Sequence, residues 1–139
     1  MDYAIKAAVR DVTAPTFVFK TQKTMYGGKL IARGDAIFVF ASENEGGPGL
    51  IASGVVTSAR PTAKLPGVAW QTPRVSITVA RTAVVRKRLG RDELERFANW
   101  DDGRPETELN FKFYRQATNK IVGLSPEAAA YLRGFLSHG

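Results

Sequence analysis

The sequence contains no cysteine and only one histidine, His138, the next-to-last of its 139 residues. Without cysteine there can be no disulfide framework, zinc knuckle or thiol nucleophile. The single histidine lies where chain ends commonly fray, so catalytic schemes built on an imidazole are nearly excluded. We therefore expect no catalytic residue, no metal site and no cofactor. The lack of cysteine also fits a reducing compartment, and we predict a cytoplasmic location.

Long hydrophobic runs and an acidic surplus are also missing. No apolar run approaches the about 20 residues that a membrane-spanning helix needs, and the start MDYAIKAAVR lacks a signal-peptide pattern, so no membrane partner is expected. Lys and Arg number 20 against 13 Asp and Glu, which gives a net charge of +7. This surplus favours a nucleic-acid partner, because basic side chains that neutralise phosphates release counterions. It is also compatible with solubility alone.

The basic residues are unevenly distributed along the chain. Residues 60–96 contain nine basic and three acidic side chains, whereas 101–108, DDGRPETE, is acidic and typical of a solvated loop. The densest basic cluster is RKRLGR, and we predict that its Arg86, Lys87 and Arg88 contact backbone phosphate. A plain solvated face is the alternative.

Hydrophobic residues make up 44% and charged residues 24% of the chain, which is enough to bury one core. The length fits a single domain, residues 1–139. Strand-like alternation or β-branched runs occur in YAIKAAV, PTFVFK, AIFVFAS, LIASGVVTSA and RVSITVARTAVV. Gly54, inside the fourth of these segments, predicts a bulge or a close backbone approach.

The C-terminal third gives mixed signals. SPEAAAYLRGFL predicts a helix, with Ser125 as N-cap and Pro126 at the first helical position. A short helix is expected in GRDELERFANW, after the turn at Gly90. LNFKFYRQ alternates like a strand, with Phe111 and Phe113 on the core face. That strand would expose Asn110, Lys112 and Tyr114, and a turn containing Asn119 and Lys120 would follow it.

These elements together predict an α+β fold. About five or six strands would form a small, curled, mixed or antiparallel sheet or barrel, accompanied by two or three short helices. The chain has no βαβ alternation, internal repeat or linker.

Three segments in order resemble a known superfamily. GDAIFVFAS, a glycine-rich tip and GLIASGVV form a hairpin like the central hairpin of PUA-like domains, especially the EVE and YTH branches. YAIKA resembles their first strand, and GVAWQTPRVSITVARTAVV resembles the segment in which a loop tryptophan precedes a long strand. The resemblance covers most of residues 3–85 and implies a PUA-like fold.

Members of these branches bind a modified or flipped nucleobase in an aromatic pocket. By position, the resemblance implies that Lys6 and Ala7 line the pocket floor, Ser42 lies at the hairpin tip and Trp70 forms one wall. For the second wall, TQKTMYGGKL offers only Tyr26, which favours the EVE-like branch over a YTH-like cage.

Each of these residues also has a purely structural explanation. Trp70 could cover the core, Ser42 could cap a turn and Lys6 could face solvent. Near the C-terminus, basic and aromatic groups occur together, so we predict a base contact from Tyr114. We predict phosphate contacts from Lys112, Arg115 and Lys120.

Three functions are compatible with the sequence. The first is a binding module that recognises a modified or flipped base in DNA or RNA and performs no chemistry; a partner nuclease or modification enzyme is left open. The second is an ASCH-like amidohydrolase acting on acylated cytidine, but the Lys three residues before a Thr expected there does not occur. The third is a small interaction protein without a nucleobase pocket. An exposed Trp70 beside a concave site would argue against the third.

Overall fold

A computed structural model describes residues 1–116 and 118–138. Within them, strands pair in the order β2-β6-β1-β3-β4-β5-β7, and β2 also pairs with β5, which closes the first six strands into a mixed barrel. The strands are β1 Asp2–Ala7, β2 Thr16–Met25, β3 Ala36–Ala41, β4 Gly49–Pro61, β5 Arg74–Val85, β6 Lys120–Leu124 and β7 Leu136–His138. The helices are α1 Arg91–Leu94, α2 Pro105–Phe113 and α3 Pro126–Arg133, with short 3₁₀ turns at Gly28–Leu30 and Glu43–Glu45.

The predicted α+β fold with a small barrel is confirmed, and so are its best-patterned elements. The β-branched run RVSITVARTAVV is β5 from end to end. The C-terminal helix begins as predicted, because Ser125 Oγ accepts a hydrogen bond from the Ala128 amide at 3.1 Å. The β4–β5 register shifts at Gly54, where a Cβ atom would lie 2.5 Å from the Ala80 carbonyl oxygen, so the predicted bulge is confirmed.

The strand predicted in LNFKFYRQ is wrong, because this segment belongs to helix α2. Pro105 opens the helix, and the acidic Glu106 and Glu108 lie in its positively polarised first turn. Leu109 and Phe113 are fully buried on one helical face. Residues four apart satisfy both the strand and the helix periodicity, which is why the short pattern misled.

The exposed set inferred from that strand is corrected with it. Asn110 is 5% exposed, and its side-chain amide donates to the Phe97 carbonyl oxygen at 3.1 Å. The Lys112 side chain is 16% exposed and half-buried Tyr114 caps the helix. All three therefore face protein rather than open solvent.

The turn predicted at Lys120 is also wrong, since Lys120 begins β6. This short, fully buried strand lies between β1 and β2, antiparallel to the first and parallel to the second. Its five residues are too few to show a periodicity. Because the preceding segment had been assigned to a strand followed by a turn, no further strand was expected here. The three-residue β7 was missed as well.

The two faces of the sheet bury two separate cores. The barrel interior holds Tyr3, Ile5 and Ala7 of β1, whereas Ala4 belongs to a second core between the sheet and the helices. Because side chains alternate along a strand, Lys6 shares the helix side with Ala4. This places a charged residue beneath α2.

The β3–β4 hairpin tip is fixed against the segment that precedes α1. Gly46 and Gly49 have positive φ values of 84° and 90°, and the Leu50 amide donates to the Leu89 carbonyl oxygen at 2.8 Å. A Cβ atom at Gly49 would lie 2.5 Å from that same carbonyl oxygen. The glycine-rich tip thus permits a close contact between two chain segments.

Across the described ranges, none of the helices is both long enough and apolar enough to cross a membrane.

Candidate binding site at the ends of strands β1, β3 and β6

Lysines from neighbouring strands lie in a row at one end of the barrel. Lys6, near the end of β1, is in register with Lys120 at the start of β6. Lys23 of β2 lies beside Lys120, because the next residues, Thr24 and Ile121, are partners in the parallel β2–β6 ladder. Lys6 is 0% exposed and Lys120 1% exposed. Lysine is almost never fully buried without a charged partner, and neither side chain forms an ion pair with any described residue.

The Lys6 ammonium is held beneath the end of helix α2. Its Nζ donates to the Phe113 carbonyl oxygen at 2.7 Å and lies 5.1 Å from the centre of the Tyr114 ring. The pKa of Lys6 is lowered from 10.5 to about 8, mainly by burial and secondly by the nearby charge of Lys120, whereas Glu43 opposes the shift. Lys6 can therefore change protonation close to neutral pH.

Glu43 of the hairpin tip connects the elements around this lysine. Its carboxylate accepts hydrogen bonds from the Tyr114 hydroxyl at 3.0 Å and from the Arg91 amide at 2.7 Å. The Arg91 guanidinium donates to Asn44 Oδ1 at 2.6 Å. Burial, followed by the charge of Glu43, raises the pKa of Tyr114, so its hydroxyl remains a donor. The tip therefore forms part of the wall of the site.

Ser42 contributes a buried hydroxyl that lacks a partner. The residue is 1% exposed, and its amide donates to the Ala7 carbonyl oxygen at 2.8 Å. Its Oγ makes no hydrogen bond within the described parts of the chain. Leaving such a group unsatisfied costs about 1–3 kcal/mol. Phe38 and Phe40 face the helices, so alternation along β3 places Ser42 on the same side as Lys6.

A cavity of about 370 Å³ opens beside Lys120. This volume falls within the range of about 300–1,000 Å³ that is typical of small-ligand pockets. Burial lowers the pKa of Lys120, and the charge of Lys23 lowers it further. The cavity is lined by Lys23, Met25, Thr72, Pro73, Gln116, Thr118 and Lys120.

Of the predicted base-binding residues, the structure brings Lys6, Ser42 and Tyr114 together. The Ala7 side chain instead packs into the barrel interior, and only its carbonyl oxygen reaches Ser42. Lys120, predicted as a phosphate contact in a turn, joins this group from β6. The sequence did not identify Glu43 or Arg91 as members of the site, because their meeting depends on the fold of the hairpin tip.

Tyr26 belongs to a separate aromatic cluster on the outer side of α2. Its ring lies 6.0 Å from that of Phe111, which also packs edge-on against Trp100 at 5.4 Å. Lys112 is bound there by Glu108 at 2.9 Å and by the Gly123 carbonyl oxygen at 2.7 Å. The exposed cation of this cluster is Arg115, whose guanidinium lies 4.8 Å from the Phe111 ring.

Trp70 is 94% exposed on the connection between β4 and β5. The alternative that it covers the core is therefore wrong. Its ring does not line the cavity beside Lys120, although Thr72 and Pro73, two and three residues further on, do. A base contact by Trp70 stays a prediction.

The predicted phosphate cluster lies away from the site, beside the end of α3. The Arg86 guanidinium donates to the Gly134 carbonyl oxygen, and Lys87 lies 5.5 Å from the Phe135 ring. Arg88 pairs with Asp92 and Glu93, each at 3.7 Å. Of the three, Arg86 and Arg88 thus already hold hydrogen-bonded or ionic partners in the protein.

The sequence matches no protein-family model and no curated protein. Solved structures instead show the fold, which is similar to that of a DUF55 domain. The DUF55 domain of human thymocyte nuclear protein 1 superposes with a TM-score of 0.63 and 14% identity, covering 96% of this chain and 97% of that one.

Two further structures show the same fold. Human THYN1 in complex with 5-methylcytosine-containing DNA gives a TM-score of 0.66 at 14% identity, over 96% of this chain and 95% of that one. A Pseudomonas putida protein gives 0.62 at 13% identity, over 97% and 99%. The PUA-like fold that the resemblance implied is thereby confirmed.

Proposed function

We propose that this chain, as a single domain of residues 1–139 in the cytoplasm, is a nucleic-acid-binding module that recognises a modified base. The observation that carries the proposal is a pair of buried lysines in register, Lys6 and Lys120, of which Lys120 lines a cavity of ligand size. The unpartnered Ser42 hydroxyl lies on the same side of the sheet as Lys6. The complex of human THYN1 with 5-methylcytosine-containing DNA supports it, since that protein shares the fold. Extrusion of the base would bring its edge to these groups.

The site offers the hydrogen-bonding groups that a base edge requires. The ammonium groups of Lys6 and Lys120 only donate, so they suit the carbonyl and ring-nitrogen acceptors of a pyrimidine. The Ser42 hydroxyl can donate or accept, and can therefore also serve an exocyclic amine. The Tyr114 ring supplies an aromatic surface next to Lys6.

The charge around the cavity favours a phosphate backbone. Lys23 lines its wall, and the stretches 12–34 and 46–91 contain no acidic residue. Lys20, Arg60, Lys64 and Arg74 belong to the same two stretches. A polyanion that approaches these two stretches meets cations and no carboxylate of the same stretches.

The first test is a binding titration with single-stranded oligonucleotides that contain cytosine, 5-methylcytosine, 5-hydroxymethylcytosine or a thiolated base, as DNA and as RNA. We expect wild-type protein to prefer one modified base, and Ser42→Ala and Lys120→Gln to reduce that preference about tenfold, as expected for losing a hydrogen bond to a buried polar edge.

The matched control is Lys87→Gln, which removes the same charge outside the site. It is expected to lower affinity uniformly for all oligonucleotides and to leave the preference intact. Equal wild-type affinity for every modified and unmodified strand would contradict the proposed function.

The lowered pKa of Lys6 favours one alternative, an ASCH-like amidohydrolase in which a lysine acts as base. In its place we propose binding without catalysis, because no threonine stands at the spacing that the family pattern requires. Turnover of N4-acylated cytidine by the wild type, abolished in Lys6→Met, would establish the enzyme instead.

The interaction-protein alternative is disfavoured by two observations. Trp70 is exposed, and a cavity of about 340 Å³, lined by residues 62–65 and 71–74, lies beside it. An exposed aromatic ring next to a concave surface is the arrangement that this alternative does not predict.

A further inference from the structure

The connection between β4 and β5, residues 62–73, exposes three large apolar side chains that the binding site does not use. Leu65 is 66% exposed, Val68 49% and Trp70 94%. Single exposed apolar residues are ordinary, but three on one short connection form a patch that favours a binding partner. We call this connection the β4–β5 arm.

The arm has a defined shape. The Gln71 side chain accepts a hydrogen bond from the Leu65 amide at 2.9 Å and donates to the carbonyl oxygens of Leu65 and Val68 at 2.9 and 3.1 Å. At its base, the Thr62 amide donates to the Arg74 carbonyl oxygen at 2.8 Å and so continues the β4–β5 ladder. The apolar side chains are thus held in place before a partner binds, so less conformational entropy is lost on binding.

The charges around the arm identify its partner as a polyanion. Arg60 and Arg74 flank it, Lys64 lies within it, and no acidic residue occurs between positions 46 and 91. A surface that combines cations with apolar side chains suits duplex DNA, whose phosphates surround a stacked, apolar interior.

We propose that the β4–β5 arm is a wedge that enters duplex DNA at the step from which the recognised base is extruded. This inference rests on the proposed function. Thr72 and Pro73 belong to the arm and also line the cavity beside Lys120. A base bound in that cavity therefore leaves its gap in the duplex next to Leu65, Val68 and Trp70, which replace the lost stacking contacts.

The test separates extrusion from recognition by using three 5-methylcytosine DNAs. These are a single strand, a fully paired duplex and a duplex with an abasic site opposite the modified base. Wild type, Trp70→Ala and Leu65→Ser are titrated with each. Leu30→Ser is the matched control, because Leu30 is 64% exposed on a different segment.

We expect Trp70→Ala to weaken binding to the paired duplex about tenfold and Leu65→Ser about threefold, because the bases flanking the gap lose their stacking partner. Single-strand affinity stays unchanged, since nothing must be unpaired. The abasic duplex recovers most of the loss. Leu30→Ser behaves like wild type, and thermal unfolding of each variant verifies that it is folded.

Equal losses on single strand and duplex would overturn the wedge and make Trp70 a wall of the base site instead. Unchanged duplex affinity in both variants would overturn it as well. If wild type binds single strands without regard to 5-methylcytosine or any other modification, the proposed function fails independently of the arm. If wild type binds none of the three DNAs, the wedge fails, and the proposed function then stands or falls with the RNA and the other modified strands of the first titration.

Discussion

The lysine-lined site and the β4–β5 arm depart from the usual distribution of residues in opposite directions. The first buries the charged Lys6 and Lys120, whereas the second exposes Leu65, Val68 and Trp70. Both arrangements are unfavourable for the isolated protein, one through desolvation and the other through apolar surface in water. Thr72 and Pro73 of the arm line the cavity beside Lys120, so under the proposed function one ligand would compensate both.

The two regions also differ in what holds them in place. The site depends on contacts between distant segments, such as Glu43 with Tyr114 and Arg91. The arm depends on Gln71 and residues within six positions of it. We therefore expect changes in the site to propagate through the fold, and changes in the arm to remain local.

The largest expected effect concerns two glycines with similar backbone conformations. Gly49, at the site, has φ of 90° and Gly67, in the arm, 78°, but only Gly49 has backbone atoms where a Cβ would lie. Gly49→Ala should lower the free energy of unfolding by about 3 kcal/mol, and Gly67→Ala by about 1 kcal/mol. Urea denaturation measures both values. Equal losses would show that the hairpin tip is not anchored as described.

The second prediction concerns the pH dependence caused by Lys6. Its folded-state pKa of about 8 lies below its ordinary 10.5, so the cost of burying the ammonium is present in full below pH 8 and disappears as the pH rises towards 10.5. Relative to Lys6→Met, wild type should gain about 2 kcal/mol of stability between pH 7 and 9.5.

Denaturation of the two proteins at both pH values tests this, and the comparison cancels groups that they share. Leu65→Ser is the control from the arm and should follow wild type at each pH. A constant difference between wild type and Lys6→Met would show that Lys6 is not desolvated.

The smallest expected effect on stability distinguishes a hydroxyl that stabilises the fold from one that is available to a ligand. Thr24, 4% exposed, donates from its Oγ1 to the Pro73 carbonyl oxygen at 2.7 Å, whereas Ser42 Oγ has no described partner. Thr24→Val should cost about 1 kcal/mol, whereas Ser42→Ala should raise the free energy of unfolding by about 1 kcal/mol, because it removes a buried hydroxyl that has no partner. Thermal unfolding checks both, and a large loss in Ser42→Ala would assign that hydroxyl a structural role.

The sequence predicted the first 85 residues better than the rest because their strands are long and carry consistent patterns. β3 and β5 are runs whose β-branched and aromatic content leaves no good alternative. In contrast, Leu109 and Phe113 fit both periodicities, and the decisive signals for α2 were Pro105 and the acidic first turn. β6 could be predicted only from its pairing with β1 and β2, and the local sequence pattern carries no information on that pairing.

The site was predicted in part, for the same reason. Lys6 and Ser42 followed from the resemblance in the well-patterned region, and Tyr114 from its basic and aromatic neighbourhood. Two other features could not be predicted, because they depend on the assembled sheet and on α2. Lys120 lies in register with Lys6, and Glu43 forms a hydrogen bond with Tyr114. The burial of these lysines could not be predicted either, because a lysine within a strand pattern is normally interpreted as a polar residue that faces solvent.

The position of β6 has a consequence for synthesis on the ribosome. Strands β1 and β2 emerge well before the strand that joins them, because β6, residues 120–124, follows β3, β4 and β5 in the chain. Until then both strands keep unpaired edges that are open to association with other nascent chains. The incomplete chain also lacks Lys120, so the cavity beside this residue forms only when β6 has closed the barrel.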